Sequence, residues 1–282
     1  MHTCQRVNDL RAQLAPARLA NQRIALVATM GNLHEGHMQL IRLAKTLADV
    51  VVASIFVNPL QFGLNEDWEQ YPRTLERDSA MLTAEGCDVL FCPTETDMYP
   101  NGMETQTKVE VPTMTNILCG ASRPGHFLGV TTVVAKLFNM VQPDTAIFGI
   151  KDYQQLSVIR RMVEDLCIPV QIVAAPIARA DDGLALSSRN SYLTADERPR
   201  ATALYQTLCQ ARDAVQAGKR DYAAIEAAAQ QQLAQAGMRP DYFSIRQAKT
   251  LEPATATDSD LVLLGAVYLG KTRLIDNVTV SI

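Results

Sequence analysis

Apolar residues fall in two alternating rhythms up to about residue 176. Short, nearly unbroken runs at 24–29, 50–57, 88–92, 145–150 and 170–175 have the length and β-branching of buried strands. Between them, over 36–47, 75–85, 130–141 and 153–166, apolar positions return every three or four residues, as on one face of a helix. The alternation predicts an α/β fold, a Rossmann-like doubly wound parallel sheet with helices on both faces. In such sheets ligands bind beyond the carboxyl ends of the strands, where strand order reverses. After residue 176 the rhythm changes. Two Ala- and Gln-rich helical stretches, 195–217 and 222–236, precede strand-like runs at 242–246, 261–268 and 272–280, which predicts a second, smaller α+β C-terminal domain. The expected domains are therefore 1–176 and 177–282, the second acting as a lid through the polar, turn-rich hinge 179–190.

The first βα crossover carries the strongest chemical signal. Met30-Gly31-Asn32-Leu33-His34-Glu35-Gly36-His37 joins the run at 24–29 to the helical pattern, with Gly31 and Asn32 as turn residues. A helix starting there directs unpaired N–H groups and the positive end of its dipole at the space above the strand, a place for phosphate. His34 and His37 add imidazole donors that do not need full charge. Two surface histidines at a helix start would be the plain alternative, and zinc would need a third ligand that the spacing lacks.

Other strand ends are polar in a related way. Gly149-Ile150-Lys151-Asp152 follows one run, with Lys151 as a point charge for phosphate and Asp152 suited to cap the next helix. Ser187-Ser188-Arg189-Asn190 offers hydroxyls and a guanidinium fork, or simply a helix cap. Asn58, Gln61, Gln154 and Gln155 suit a ligand bearing hydroxyl and carboxylate groups. The acidic pairs Asp78 and Glu85, and Asp181 and Asp182, are read as solvated faces, with help to a magnesium–nucleotide complex as the other reading; no metal ligand is assigned.

Composition narrows the remaining classes. The 282 residues are 48% hydrophobic and 20% charged, with a net charge of −4, so no general basic field invites nucleic acid or an anionic membrane. No segment approaches the roughly 20 apolar residues of a membrane span, and a cytoplasmic protein is expected. The six cysteines have no metal or redox spacing and read as reduced, mostly buried thiols. Walker A, Gly-x-Gly-x-x-Gly and Ser/His/Asp patterns are absent from the sequence.

Taken together, Met30 to His37, Ser54 to Phe62, Tyr71-Pro72-Arg73, Tyr99-Pro100, Arg123 to Val130, Lys136-Leu137-Phe138-Asn139, Gly149 to Leu156, Leu184 to Asn190 and Leu274-Ile275-Asp276-Asn277 resemble the pantothenate synthetase (pantoate–β-alanine ligase) family of the His-x-Gly-His nucleotidylyltransferase-like superfamily. The resemblance implies ligation of pantoate and β-alanine with ATP as substrate and Mg2+, through a pantoyl adenylate, in a homodimer. It implies ATP contacts from Met30, Gly31, Asn32, Leu33, His34, Glu35, Gly36, His37, Gly149, Ile150, Lys151, Asp152, Ala178, Leu186, Ser187, Ser188 and Arg189. His37 would be the proton donor, with His34, Lys151 and Arg189 the other catalytic donors; Gln61, Gln155 and Asn58 would hold pantoate, and Gln61 also β-alanine. Ile150, Ala28 and Leu128 depart from the family pattern, where glutamate, proline and a polar residue are common. A nucleotidylyltransferase without an amine-consuming step, or a nucleotide-binding regulator without turnover, would share the crossover motif.

Overall fold

The computed structural model describes residues 1–63 and 66–282. The chain divides into two compact units, one of Met1–Ile150 with Val158–Pro176 and the other of Lys151–Ser157 with Ile177–Ile282. A single cut after residue 176 would instead leave Lys151–Ser157 with the first unit.

In the first unit the strands are β1 (His2–Cys4), β2 (Ile24–Thr29), β3 (Val50–Ile55), β4 (Val89–Phe91), β5 (Thr145–Gly149) and β6 (Gln171–Ala175). The helices are α1 (Val7–Leu19), α2 (Glu35–Leu47), α3 (Leu75–Ala84), the short α4 (Glu95–Met98), α5 (Pro112–Thr115) and α6 (Cys119–Ser122), then α7 (His126–Val141) and α8 (Tyr153–Asp165), whose first turn belongs to the second unit. All strands run parallel in the order β1-β4-β3-β2-β5-β6. From β2 the chain builds outward through β3 and β4, then returns to the other side of β2 for β5 and β6. Strand order thus reverses between β2 and β5, where such sheets bind ligands.

The strand runs are apolar throughout because both faces are covered. Ala25, Val27, Val51, Ala53 and Ile147 share a core with Met38, Ile41 and Ala44 of α2, while their neighbours Ile24, Leu26 and Val52 are equally buried. The strand β1 and helix α1 escape the sequence pattern. β1 is a three-residue edge strand that buries only Cys4, and α1 carries an internal Pro16 that reads as a helix breaker.

The second unit holds α9 (Glu197–Arg200), α10 (Ala203–Gln216), α11 (Tyr222–Gln235) and the antiparallel meander β7 (Arg239–Gln247), β8 (Asp260–Leu269) and β9 (Thr272–Ser281). Leu204, Leu208 and Val215 of α10 and Leu233 of α11 share its core with Phe243, Ile245, Leu261, Leu263 and Val267 of the sheet. The helix expected over 195–217 is two. Ala201 and Thr202 separate them, and Thr202 Oγ1 donates to the carbonyl of Pro199 (2.9 Å). Among the described residues no helix is long and apolar enough to cross a membrane.

One close approach fixes the loop after β3 against α7. Helix α7 lies against the single helical turn Pro59–Gln61, and a β-carbon on Gly129 would stand 2.3 Å from the Leu60 carbonyl oxygen and 2.6 Å from the Gln61 nitrogen. Both obstacles are backbone and cannot swing aside. Gly129→Ala is expected to destabilise the protein by about 1–3 kcal/mol, read as a shifted denaturation midpoint; an unchanged midpoint would show that the turn yields.

Candidate active site at the first strand-to-helix crossover

The chain leaves β2 through Thr29, whose hydroxyl donates to the Ser54 carbonyl of β3 (2.7 Å) and accepts the Gly31 amide (3.2 Å). Gly31 and Asn32 then both take left-handed backbone angles, with φ of +81° and +49°. Two such residues in succession turn the chain back over the sheet, and a side chain at Gly31 would be strained there.

His34 is the N-cap of α2. Its Nδ1 accepts the Gly36 amide (3.1 Å), and Nδ1 of His37 accepts the His34 amide (3.3 Å), a reciprocal capping box made by two imidazoles. The rings stand 4.2 Å apart between centroids, tilted by 49°. A nitrogen that accepts an N–H cannot itself carry a proton, so these bonds place the ring proton of each neutral histidine on Nε2. The pair expected from sequence as phosphate donors is therefore oriented by the helix start itself.

Asp78 corrects one expectation. Instead of forming a solvated face, it is 0% exposed on the first turn of α3, with Oδ2 accepting the Asn32 amide (2.7 Å) and Oδ1 the Leu33 amide (3.0 Å). Thr74 Oγ1 donates to Oδ2 (3.0 Å), and Arg77 reaches Asp78, Asn32 Oδ1 and the Leu33 carbonyl. A carboxylate removed from water needs such donors. Asp78 is thus the anchor of the loop that carries the histidines. No periodicity signals this, because a charged residue on an amphipathic helix ordinarily faces solvent.

Asn58 and Gln61 follow β3. Asn58, 1% exposed, has every hydrogen-bonding position filled by protein: Oδ1 accepts from Leu60 N (3.3 Å) and Tyr99 OH (2.7 Å), and Nδ2 donates to Gln61 Oε1 (3.2 Å) and the Gly129 carbonyl (3.1 Å). These bonds also place Asn58, expected from sequence to hold pantoate, directly against Gln61. Gln61 Nε2 donates to Met30 Sδ (2.9 Å), joining this group to the histidine loop. The Gln61 carbonyl meets His126 Nδ1 (2.8 Å), and Arg123 pairs with Glu66 at 2.5 Å. Burial disfavours the charged Glu66, yet the Arg123 hydrogen bond and charge outweigh it and hold the carboxyl below its ordinary range. Gly149 ends β5, beside β2 in the sheet, and Ile150 opens the short helical turn that follows.

The second unit gathers another group. Lys151 and Ser187, distant in sequence, line one cleft with Asn190 and Asp276. The Lys151 carbonyl accepts from Asn277 Nδ2 (3.0 Å), and Asp276 makes a two-pronged pair with Arg179 (2.6 and 2.9 Å). Arg179 also stacks 3.6 Å over the Tyr205 ring and donates to the Gly183 carbonyl (3.0 Å). This braces a tight loop in which the Leu186 amide bonds to the Ala178 carbonyl (2.8 Å). Ser187 Oγ caps the turn Ser188–Tyr192 by accepting the Arg189 amide (3.3 Å), so the capping role weighed from sequence is present. Asp152 lies in the short helical turn before α8; Gln154 is buried on the first turn of α8 and Gln155 half-buried. Among the described residues no group of three or more His, Cys, Asp or Glu side chains is placed to hold a metal ion.

A parallel sheet with an imidazole pair at a helix N-terminus after β2, beside the strand-order reversal, and a buried amide pair after the adjacent β3 defines a doubly wound α/β protein. Residues 2–279 match the profile of the Pantoate-beta-alanine ligase family, and the chain belongs to that family. It is 60% identical to a pantothenate synthetase of Pseudomonas putida, covering 100% of this chain and 98% of that one. It is 58% identical to one of Saccharophagus degradans, with coverage of 100% and 99%. The crystal structure of pantothenate synthetase from Thermus thermophilus superposes with a TM-score of 0.91 at 46% identity over 99% of both chains. A pantoate-beta-alanine ligase from Francisella tularensis, complexed with beta-gamma ATP and beta-alanine, gives 0.82 at 35% identity over 99% of this chain and 97% of that one. The chain is accordingly an enzyme.

Asp78→Asn keeps the size of the anchor but turns an amide NH2 toward a backbone N–H. It is expected to cost about 1–3 kcal/mol of stability and to raise KM for ATP. Asp181→Asn, at an exposed position, serves as the control and should stay within about 0.5 kcal/mol. Equal behaviour of the two variants in denaturant melts would refute the anchoring role.

Proposed function

We propose that the chain condenses pantoate with β-alanine to give pantothenate, using Mg-ATP and passing through a pantoyl adenylate, as a homodimer. A pantoate carboxylate oxygen attacks the α-phosphorus and the bond to pyrophosphate breaks. The β-alanine amine then attacks the acyl carbon, AMP leaves, and the amine gives up a proton. The observation that carries this reading is the capping pair His34 and His37, whose Nε2 protons are fixed as donors at the start of α2.

During the first step negative charge grows on the α-phosphate and the departing pyrophosphate. Donors already oriented toward that charge stabilise the transition state more than the ground state. His37 is assigned as proton donor and His34 as its phosphate-binding neighbour, on a helix N-terminus that favours the same charge. Lys151 and Arg189 are assigned to nucleotide phosphates, with Gly149, Ile150, Asp152, Ala178, Leu186, Ser187 and Ser188 completing the nucleotide contacts. Magnesium is taken as part of the nucleotide substrate, because both oxygens of the carboxylate at the crossover, Asp78, are engaged by loop amides.

Gln61 is assigned to pantoate and β-alanine, and Gln155 to pantoate. Among the described residues, the Gln61 amide bonds to Asn58 and Met30, which leaves one N–H and one lone pair, the complement of a hydroxyl or carboxylate. The second step joins a mixed anhydride to an amine, so holding the two together and excluding water supplies most of its advantage.

Following AMP and pyrophosphate with Mg-ATP present, while adding pantoate and β-alanine singly and together, tests the reaction. AMP is expected to accumulate catalytically only with both; AMP release with other acids and not pantoate would point to another ligase. His37→Ala should lower kcat by about 100-fold, and near-full activity would remove His37 from the mechanism. For Gln155→Ala, KM for pantoate should rise well above any change in KM for ATP. Equal rises would place Gln155 outside the acid site.

A further inference from the structure

Tyr99, which ends α4 and is 3% exposed, has no part in the assignments above, yet its phenol makes the shortest of the hydrogen bonds to Asn58 (2.7 Å). We propose that Tyr99 is a positioning residue for Gln61: by donating to Asn58 Oδ1 it holds in place the Asn58 amide, whose polarity Leu60 and Gly129 set and which in turn restrains the Gln61 amide. The inference rests on the assignment of Gln61 to pantoate and β-alanine.

The polarity of the relay follows from groups that cannot change roles. The Leu60 amide can only donate, so the atom of Asn58 facing it at 3.3 Å is the oxygen. The Gly129 carbonyl can only accept, so the atom facing it at 3.1 Å is the Asn58 nitrogen. The Asn58 amide therefore cannot flip, and Tyr99 must donate to its oxygen. The second N–H of Asn58 then meets Gln61 at 3.2 Å, and the Gln61 atom receiving it is the oxygen. Gln61 Nε2 is left on the side of Met30 Sδ and the histidine loop. An unrestrained glutamine would present either end, since its two ends differ little in size.

Tyr99 is built to donate. Burial, with a smaller effect from Glu95, pushes its phenol well above the ordinary tyrosine value and keeps the proton on oxygen. Lys136 Nζ stands 5.5 Å over the ring centroid while bonding to Gln106 Oε1 (3.1 Å), and Phe56 packs on the ring at a centroid distance of 6.1 Å. The ring is held by packing, and its hydroxyl alone serves Asn58. Removing that hydroxyl leaves the ring in place.

The test is Tyr99→Phe, assayed for each substrate in turn and repeated in a Gln61→Ala background. KM for pantoate is expected to rise about tenfold, with KM for ATP within about twofold. In the Gln61→Ala background the Tyr99→Phe change should have no further effect. An unchanged KM for pantoate, or the same rise with Gln61 already removed, would overturn the relay. A second readout uses the side-chain amide signals of Asn58 and Gln61 in 15N-labelled protein without substrates. Tyr99→Phe should shift both and speed their hydrogen exchange, and unmoved signals would overturn the proposal. If the unsubstituted enzyme made no pantothenate, the functional reading would fail, while these signals would still decide the relay.

Discussion

The two hydrogen bonds that tie His34 Nδ1 to the Gly36 amide and His37 Nδ1 to the His34 amide constrain everything that the crossover can do. They decide at once where α2 begins and which ring nitrogen bears the proton. Both outcomes depend on the chain entering α2 at one angle, which the left-handed pair Gly31 and Asn32 provides. That pair depends in turn on Thr29 and Asp78, which hold the three amides 31–33 from opposite sides. A site of neutral donors is thereby preorganised without a positive side chain in the loop. The nearest buried charge, on Asp78, is negative and is answered by backbone amides, Thr74 and Arg77.

The second unit uses the same device with different residues. Asp276, nearly buried, accepts both prongs of Arg179 and the Asn277 amide, and Asn277 in turn holds the Lys151 carbonyl. In each unit a carboxylate withdrawn from water orders backbone carrying the groups assigned to the nucleotide. Such a pair contributes through the geometry it imposes more than through net attraction, since removing two charges from water offsets much of what their pairing returns.

The crossover was legible in the sequence because three local signals coincide there: an apolar run, a Gly-Asn turn and the onset of a helical period. The strand β2 matches its expected bounds, and α2, α3, α7 and α8 lie within a few residues of theirs, while α1, α4, α5 and α6 had no expected counterpart. What stayed hidden depends on contacts across long stretches of chain. Nothing near Asp78 tells that the first turn of α3 packs under a loop 45 residues earlier. The partners of Asn58 were hidden in part too, because Leu60 and Gln61 are its neighbours but Tyr99 and Gly129 are 41 and 71 residues away. Asp276 and Asn277 did leave a trace, in the run Leu274-Ile275-Asp276-Asn277 that carries part of the family resemblance, but not a role. The family resemblance supplied the substrates, which neither periodicity nor turn chemistry encodes.

The second unit is assembled from two separated pieces of chain, and this has a consequence for its heredity and its biogenesis. Lys151–Ser157 leaves the first unit, contributes Tyr153 OH to the Ala248 carbonyl (2.9 Å) and the Lys151 carbonyl to Asn277, and returns to complete α8. A ribosome therefore emits the first piece more than a hundred residues before β9 exists to receive it. The unit cannot be transplanted between genes as one contiguous cassette. Recombination downstream of residue 176 would exchange the meander while leaving its lysine and glutamines behind, so the two pieces must be inherited together.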